Sequence, residues 1–307
     1  MMRRTSVAAE CTLSQWLQKH ADPYALSQGR VFLEEQSRTP RRLGPEHASQ
    51  WLRVGQVVRV AASTSGVPQR PAPALEILDQ DSGLVVLNKP AGVATIPDQH
   101  GASRSLLGQL AVHLFVPIDC VHPTSRLDRD VSGVVVFALD ASMRHALAEA
   151  RNLGGYRRSY VALSSGALSP EQVREGAWEA RIGRGKTAVT RAVDGPGATH
   201  ARSQFRHLAK AGALHAWRLE PQTGRTHQLR VHAAHAGFPL IGDAQYGGLQ
   251  RLAQPDGRVR APGRVMLHAH RVCALGRIWV APLPAMFQLL WSEDGGEAFP
   301  NPFLDQE

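Results

Sequence analysis

From residue 75 onward the apolar positions fall in short runs broken by turn residues, a pattern that predicts strands joined by tight turns. The clearest run is residues 134–139, Val-Val-Val-Phe-Ala-Leu. Six consecutive apolar residues rich in β-branched side chains read as a strand buried on both faces. Residues 141–150 predict a helix instead. Nearer the start, residues 12–17 open on a capping Thr12 and place apolar side chains at helical spacing, which predicts a short helix. Residues 29–33 and 52–60 predict strands, the second with Val58 and Val60 flanking Arg59 at period two. Residues 63–74 hold three prolines and predict a semi-rigid linker. Residues 183–200, rich in Gly, Arg and Thr, predict a mobile basic loop, and residues 253–263 a second loop.

These elements divide the 307 residues into a disordered start (1–10), a small module (11–62), the linker (63–74), a large strand-rich domain (75–292) and a tail (293–307). That length suffices for one large domain and one small one. No segment approaches the roughly 18 apolar residues of a membrane span. The start Met1-Met2-Arg3-Arg4 lacks the apolar core of a signal peptide. The expectation is a soluble, cytoplasmic protein.

Charge sharpens the picture only slightly. Lys and Arg total 35 against 26 Asp and Glu, a net +9, and only Lys19, Lys89, Lys186 and Lys210 are lysines. An arginine surplus suits phosphate and base stacking, so it fits a polyanionic partner. Cys11, Cys120 and Cys273 are widely spaced and predict no disulfide frame; Cys120 reads as a small buried apolar residue. The histidines His227, His232, His235, His268 and His270 match no common zinc spacing.

Chemistry concentrates just before the 134–139 run. Ser125-Arg126-Leu127-Asp128-Arg129-Asp130-Val131-Ser132-Gly133 places an arginine two residues before an aspartate, and in an extended segment the two would share a side. A carboxylate beside a fixed cation favours its charged form. Such a group suits nucleophilic or proton-shuttling work without a metal.

This segment resembles the catalytic motif of the RluA-type pseudouridine synthases, His-Arg-Leu-Asp-x-x-Thr-Ser-Gly. Four further blocks are similar to that family in the same order. They are Leu84-Val85-Val86-Leu87-Asn88-Lys89-Pro90-Ala91-Gly92; Arg158-Ser159-Tyr160-Val161-Ala162-Leu163; residues 219–232 with Gly242, Asp243 and Tyr246; and Leu267-His268-Ala269-His270. Together they span roughly residues 75–290.

The resemblance implies an α+β fold: a long, mostly antiparallel sheet with a central cleft, preceded by a small S4-like module. It implies isomerisation of uridine to pseudouridine in ribosomal or transfer RNA by a monomer with no cofactor, because the product is an isomer. Asp128 becomes the catalytic carboxylate, with Asp130 as its nearest competitor. Arg230 becomes its ion-pair partner and Tyr160 the ring that stacks on the target base. Arg126 would fill the gap left in the RNA stack, Leu229 would pack opposite Tyr160, and Arg225, Thr226 and His227 would position backbone or phosphate.

The chain departs from the motif at Ser125, Val131 and Arg158, where the family has His, Thr and Lys. These changes keep a second expectation open, a catalytically inactive RNA-binding protein on the same fold.

Overall fold

The computed structural model describes residues 2–21, 25–26, 30–34, 40–61, 75–98, 101–166, 174–187, 189–253 and 257–303. The predicted linker at 63–74 lies outside them. In the N-terminal unit, β1 (Met2–Ser6) and β2 (Cys11–Thr12) lead into helix α1 (Leu13–His20). Four strands follow: β3 (Val31–Glu34), β4 (Arg41–Leu43), β5 (Trp51–Leu52) and β6 (Val57–Ala61). Thr12 caps α1 in a capping box with Gln15, as the sequence predicted. Residues 2–6 are not disordered: β1 pairs antiparallel with β6 in a sheet of order β1-β6-β3-β4. The pairing, with the Arg4–Glu34 ion pair at 2.6 Å, supplies the order that a short polar start lacks by itself. Leu13, Leu33, Leu43 and Leu52 form this unit's own core.

The large domain begins with β7 (Glu76–Gln80) and β8 (Leu84–Lys89), then α2 (Leu106–His113), β9 (His122–Pro123) and β10 (Ser132–Ala138). It continues through α3 (Ala141–Asn152), β11 (Arg157–Ser165), β12 (Glu175–Arg184), β13 (Arg191–Val193), β14 (Thr199–Ala211) and β15 (Leu214–Pro221). Helix α4 (Gln228–His235), β16 (Leu252–Ala253), β17 (Val259–Arg260), β18 (Leu267–Ala274), β19 (Arg277–Val280) and α5 (Ala285–Glu293) complete it.

Eleven strands form one sheet of order β13-β12-β14-β15-β11-β18-β10-β8-β7, with β19 on β18 and β9 on β10. Its strand pairs are antiparallel except β10 with β18, so the expected α+β class and mostly antiparallel sheet stand. Every residue of β10 is buried, because one face meets the core under α2 and the other meets α3. Gly133, the second residue of β10, has φ +116°. A Cβ there would lie 2.2 Å from the Ala269 carbonyl oxygen, so only glycine lets β18 approach. That approach pairs the start of β10 with β18, Ser132 opposite His268 and Gly133 opposite Ala269.

Three expectations need correction. The supposed loop at 183–200 is mostly hairpin: β12 runs to Arg184, β13 returns from Arg191, and β14 starts at Thr199. Its glycines serve close backbone approach, since a Cβ on Gly183 would meet the Gly195 carbonyl at 2.2 Å. The supposed tail packs down: Arg218 donates to the Pro302 carbonyl at 3.0 Å, and Phe303 stacks on His270. Cys120 is exposed, because it closes a short 3-10 turn, Ile118–Cys120, that faces outward.

Candidate active site

Residues 126–128 carry no regular structure and lead into a turn that the Val131 N–H closes on the Asp128 carbonyl at 3.1 Å, and neighbouring residues hold the segment through its backbone. Thr95 Oγ1 accepts from the Leu127 N–H at 3.0 Å and donates to the Leu127 carbonyl at 2.8 Å. The Arg129 carbonyl accepts from the Gly92 N–H at 2.8 Å and from Lys89 Nζ at 2.9 Å. Lys89 is fully buried, and its Nζ also reaches the Pro90 carbonyl (3.0 Å) and the Val93 carbonyl (2.6 Å). Burial, with the Arg264 charge nearby, draws its pKa down to about 7. Three acceptors match the three hydrogens of the ammonium form, which opposes that pull.

The turn leaves Asp128 part-open, its side chain 25% exposed. Arg126 is exposed and is not the cation that Asp128 uses. That cation is Arg230, whose Nη1 donates to Asp128 Oδ2 at 3.1 Å. Arg230 is only 5% exposed. Three of its other four N–H donors are taken by Asp243, through Nε (2.7 Å) and Nη2 (2.8 Å), and by Gln245 Oε1 (2.8 Å). Burial works against the guanidinium charge, but hydrogen bonding and charge from Asp243, then Asp128, outweigh it and raise its pKa. Arg230 therefore presents a fixed cation to Asp128, in line with the sequence expectation that they pair.

Arg230 sits on α4, a helix that the sequence reading did not predict. His227 precedes it in the left-handed conformation, φ +56° and ψ +20°. The turn before α4 closes on Gln228, whose Oε1 accepts from the Arg225 N–H (3.0 Å) and from Thr223 Oγ1 (2.7 Å). Arg225 Nε donates to the His200 carbonyl at 3.0 Å, and Thr226 is exposed. His227 Nε2 lies 3.8 Å from Asp128 Oδ2, and its Nδ1 is 2.7 Å from Tyr246 Oη. Leu229 is buried in the core.

Tyr160 lies on β11 in the same core cluster as Leu127, Val131 and Leu229, 5% exposed. A bulge between Ser159 and Tyr160 re-aims the side chain there. Burial raises its hydroxyl pKa, and the Asp128 charge adds to that rise.

The departures from the family motif find apolar or alternative partners. Val131 is 2% exposed in the core, so a methyl suits the place where the motif has a hydroxyl. Ser125 is buried with its Oγ 3.4 Å from Tyr156 Oη, while Thr124 Oγ1 makes the closer contact at 2.8 Å. The residues that the sequence reading left without a role are Lys89, Thr95, Asp243, Gln245 and Tyr246. Lys89, Asp243 and Tyr246 stand inside the quoted motif blocks, which was the available signal. Thr95 and Gln245 carried none.

Two histidines behind this site predict a pH response. His268 (0% exposed) meets Ser132 Oγ at 2.7 Å and His232 (1% exposed) meets Ser203 Oγ at 3.0 Å. Burial lowers their pKa values to about 3 and about 4. Above pH ~6.5, the unfolded value, neither state binds these protons and no difference arises. Below it the unfolded chain takes up protons that the fold refuses, so stability falls with pH. At about 1.4 kcal/mol per group per pH unit, the pair should remove roughly 4 kcal/mol by pH 5. Urea unfolding at pH 7.5 and pH 5 checks this; an equal unfolding free energy at both would refute it.

The family profile of the RNA pseudouridylate synthases matches residues 83–235. An uncharacterized RNA pseudouridine synthase of Bacillus subtilis, YhcT, is 34% identical over 221 residues, 69% of this chain and 69% of that protein. Ribosomal large subunit pseudouridine synthase D of Pseudomonas aeruginosa is 32% identical over 231 residues, 71% of this chain and 70% of that one. Among solved structures, human RNA Pseudouridylate Synthase Domain Containing 4 superposes with a TM-score of 0.56 at 25% identity, covering 74% of this chain and 95% of its own. The chain belongs to the RNA pseudouridine synthases, and within them to the RluA type. It is an isomerase; among its described residues, no helix is long and apolar enough to cross a membrane.

Proposed function

We propose that this protein converts specific uridines of ribosomal or transfer RNA to pseudouridine, with Asp128 as the acting carboxylate. The observation that carries this reading is a part-open carboxylate held at 3.1 Å by a buried arginine, while that arginine is itself locked by Asp243. Tyr160 stacks on the target base, and Leu229 packs against it from the other side. Arg126, exposed at the mouth of the turn, fills the gap in the stack when the nucleotide swings out. Arg225, Thr226 and His227 position the RNA backbone. The reaction needs no redox partner, because detachment at N1 and reattachment at C5 leave the composition unchanged. The enzyme works as a cytoplasmic monomer.

Chemical mapping of pseudouridine in RNA from cells with and without the gene tests the reading. One or more uridines should lose modification and regain it on complementation with the wild-type chain. An unchanged map in both ribosomal and transfer RNA would sink it. Binding of RNA without conversion would leave a non-catalytic protein on this fold.

A further inference from the structure

Two contacts at Tyr246 bear on where the His227 ring carries its hydrogen. The Arg191 N–H donates to Tyr246 Oη at 2.9 Å, so the phenol accepts there. The phenol's own hydrogen is left for His227 Nδ1 at 2.7 Å. The arrangement that gives the phenol's hydrogen a partner has Nδ1 accepting it, with the neutral ring carrying its hydrogen on Nε2. Nε2 is 3.8 Å from Asp128 Oδ2, beyond hydrogen-bonding distance, so this donor stands beside the carboxylate without being consumed by it. The charged groups around the ring are Asp128, Arg230, Arg191 and Asp243. Burial lowers the ring's pKa against the opposing pull of Asp128, and Arg230 and Arg191 add to the fall, so the neutral ring is favoured. The backbone of His227 is also held in the left-handed region, an arrangement that costs about 1 kcal/mol or more in a non-glycine residue and often marks a functional site.

We propose that His227, beyond positioning RNA, donates its Nε2 hydrogen to a carbonyl oxygen of the pyrimidine while the base is detached. The role rests on the isomerase reading above. When the C1′–N1 bond breaks, its electron pair stays on the pyrimidine, spread over N1 and the ring oxygens. A preset N–H donor at the place where that charge develops stabilises it without reorganising. The C1′–C5 bond then forms, the C5 hydrogen leaves as a proton, and N1 takes one up, so no atom is gained or lost. His227 keeps its hydrogen throughout. Tyr246 is a positioning residue that fixes the ring's tautomer.

The test uses the full chain and RNA from cells lacking the gene, labelled with tritium at uridine C5. Each conversion releases one tritium. His227→Leu should lower the rate at saturating RNA about 100-fold with KM within about threefold, as removal of one donor to a developing oxyanion does. His227→Gln, which restores an N–H donor, should recover to within about tenfold of wild type. Its pH profile between 6 and 8 should keep the wild-type shape. Tyr246→Phe should lose about tenfold while its melting temperature stays within a few degrees. If the Leu variant does not fold, His227→Asn, whose amide is too short to reach, replaces it and should be equally slow.

A folded Leu variant at wild-type rate overturns the role. So does a Gln variant as inactive as Leu, a loss confined to KM, or a Gln variant that loses an acid limb present in wild type, which would mark a base. A wild-type chain that releases no tritium overturns the isomerase reading and this role with it.

Discussion

Asp128→Asn should lower uridine conversion by at least about 1,000-fold while leaving the fold and RNA affinity near wild type. The replacement is close in size, and it removes the charge that either nucleophilic attack or proton abstraction requires. Asp128 is half-buried at the start of a turn whose flanking backbone is held by Thr95 Oγ1, the Gly92 N–H and Lys89 Nζ, none of which the substitution touches. An amide oxygen can still accept from Arg230 Nη1, so the buried guanidinium keeps a partner. Tritium release gives the rate, thermal melting the fold, and filter binding the affinity. A variant that converts uridine within tenfold of wild type would assign the chemistry elsewhere, with Asp130 the first residue to test.

Asp243→Ala should destabilise the fold by about 3–5 kcal/mol, the usual penalty for stripping one partner from a buried ion pair. Asp243 is 0% exposed and takes two of the Arg230 donors, at 2.7 and 2.8 Å. Without it the guanidinium retains Gln245 and the half-open Asp128, which cannot satisfy a charge that is 5% exposed. Conversion should fall as well, because Arg230 loses the grip that aims Nη1 at Asp128. Asp243→Asn keeps one acceptor and should lose less. Urea unfolding of both variants at pH 7.5 measures the effect; an alanine variant within 1 kcal/mol of wild type would show that water or a rearranged Arg230 compensates.

The parts of the fold that read directly from the sequence are those whose burial is one-sided or total along a strand. β10 was visible because two buried faces demand an unbroken apolar run. α3 was visible because Asp140 caps it and Leu147 marks its inner face. α4 was missed for the opposite reason. Gln228, Leu229, Arg230, Val231, His232 and Ala233 are all buried, so the helical stripe disappears and Leu-Arg-Val-His alternates like a strand. β1 was missed because its order comes from pairing with β6, far along the chain. At the site, the motif blocks pointed to Asp128, Tyr160 and Arg230, of which the structure joins Asp128 to Arg230. They could not reveal which charges meet: Arg126, two residues from Asp128, points to solvent, and the partner lies on a distant helix. Lys89 read as part of a strand and turn, yet its role as a staple for the Arg129 carbonyl depends on a contact across the sheet.

The Asp128–Arg230 contact joins positions 102 residues apart in the chain. During translation the acid group leaves the ribosome well before its guanidinium, and before the Asp243 that steadies the guanidinium. A half-made chain therefore carries the acid without its counter-charge. Competence arrives only when the closing segments have been synthesised and docked, which couples the onset of modification to completion of the protein.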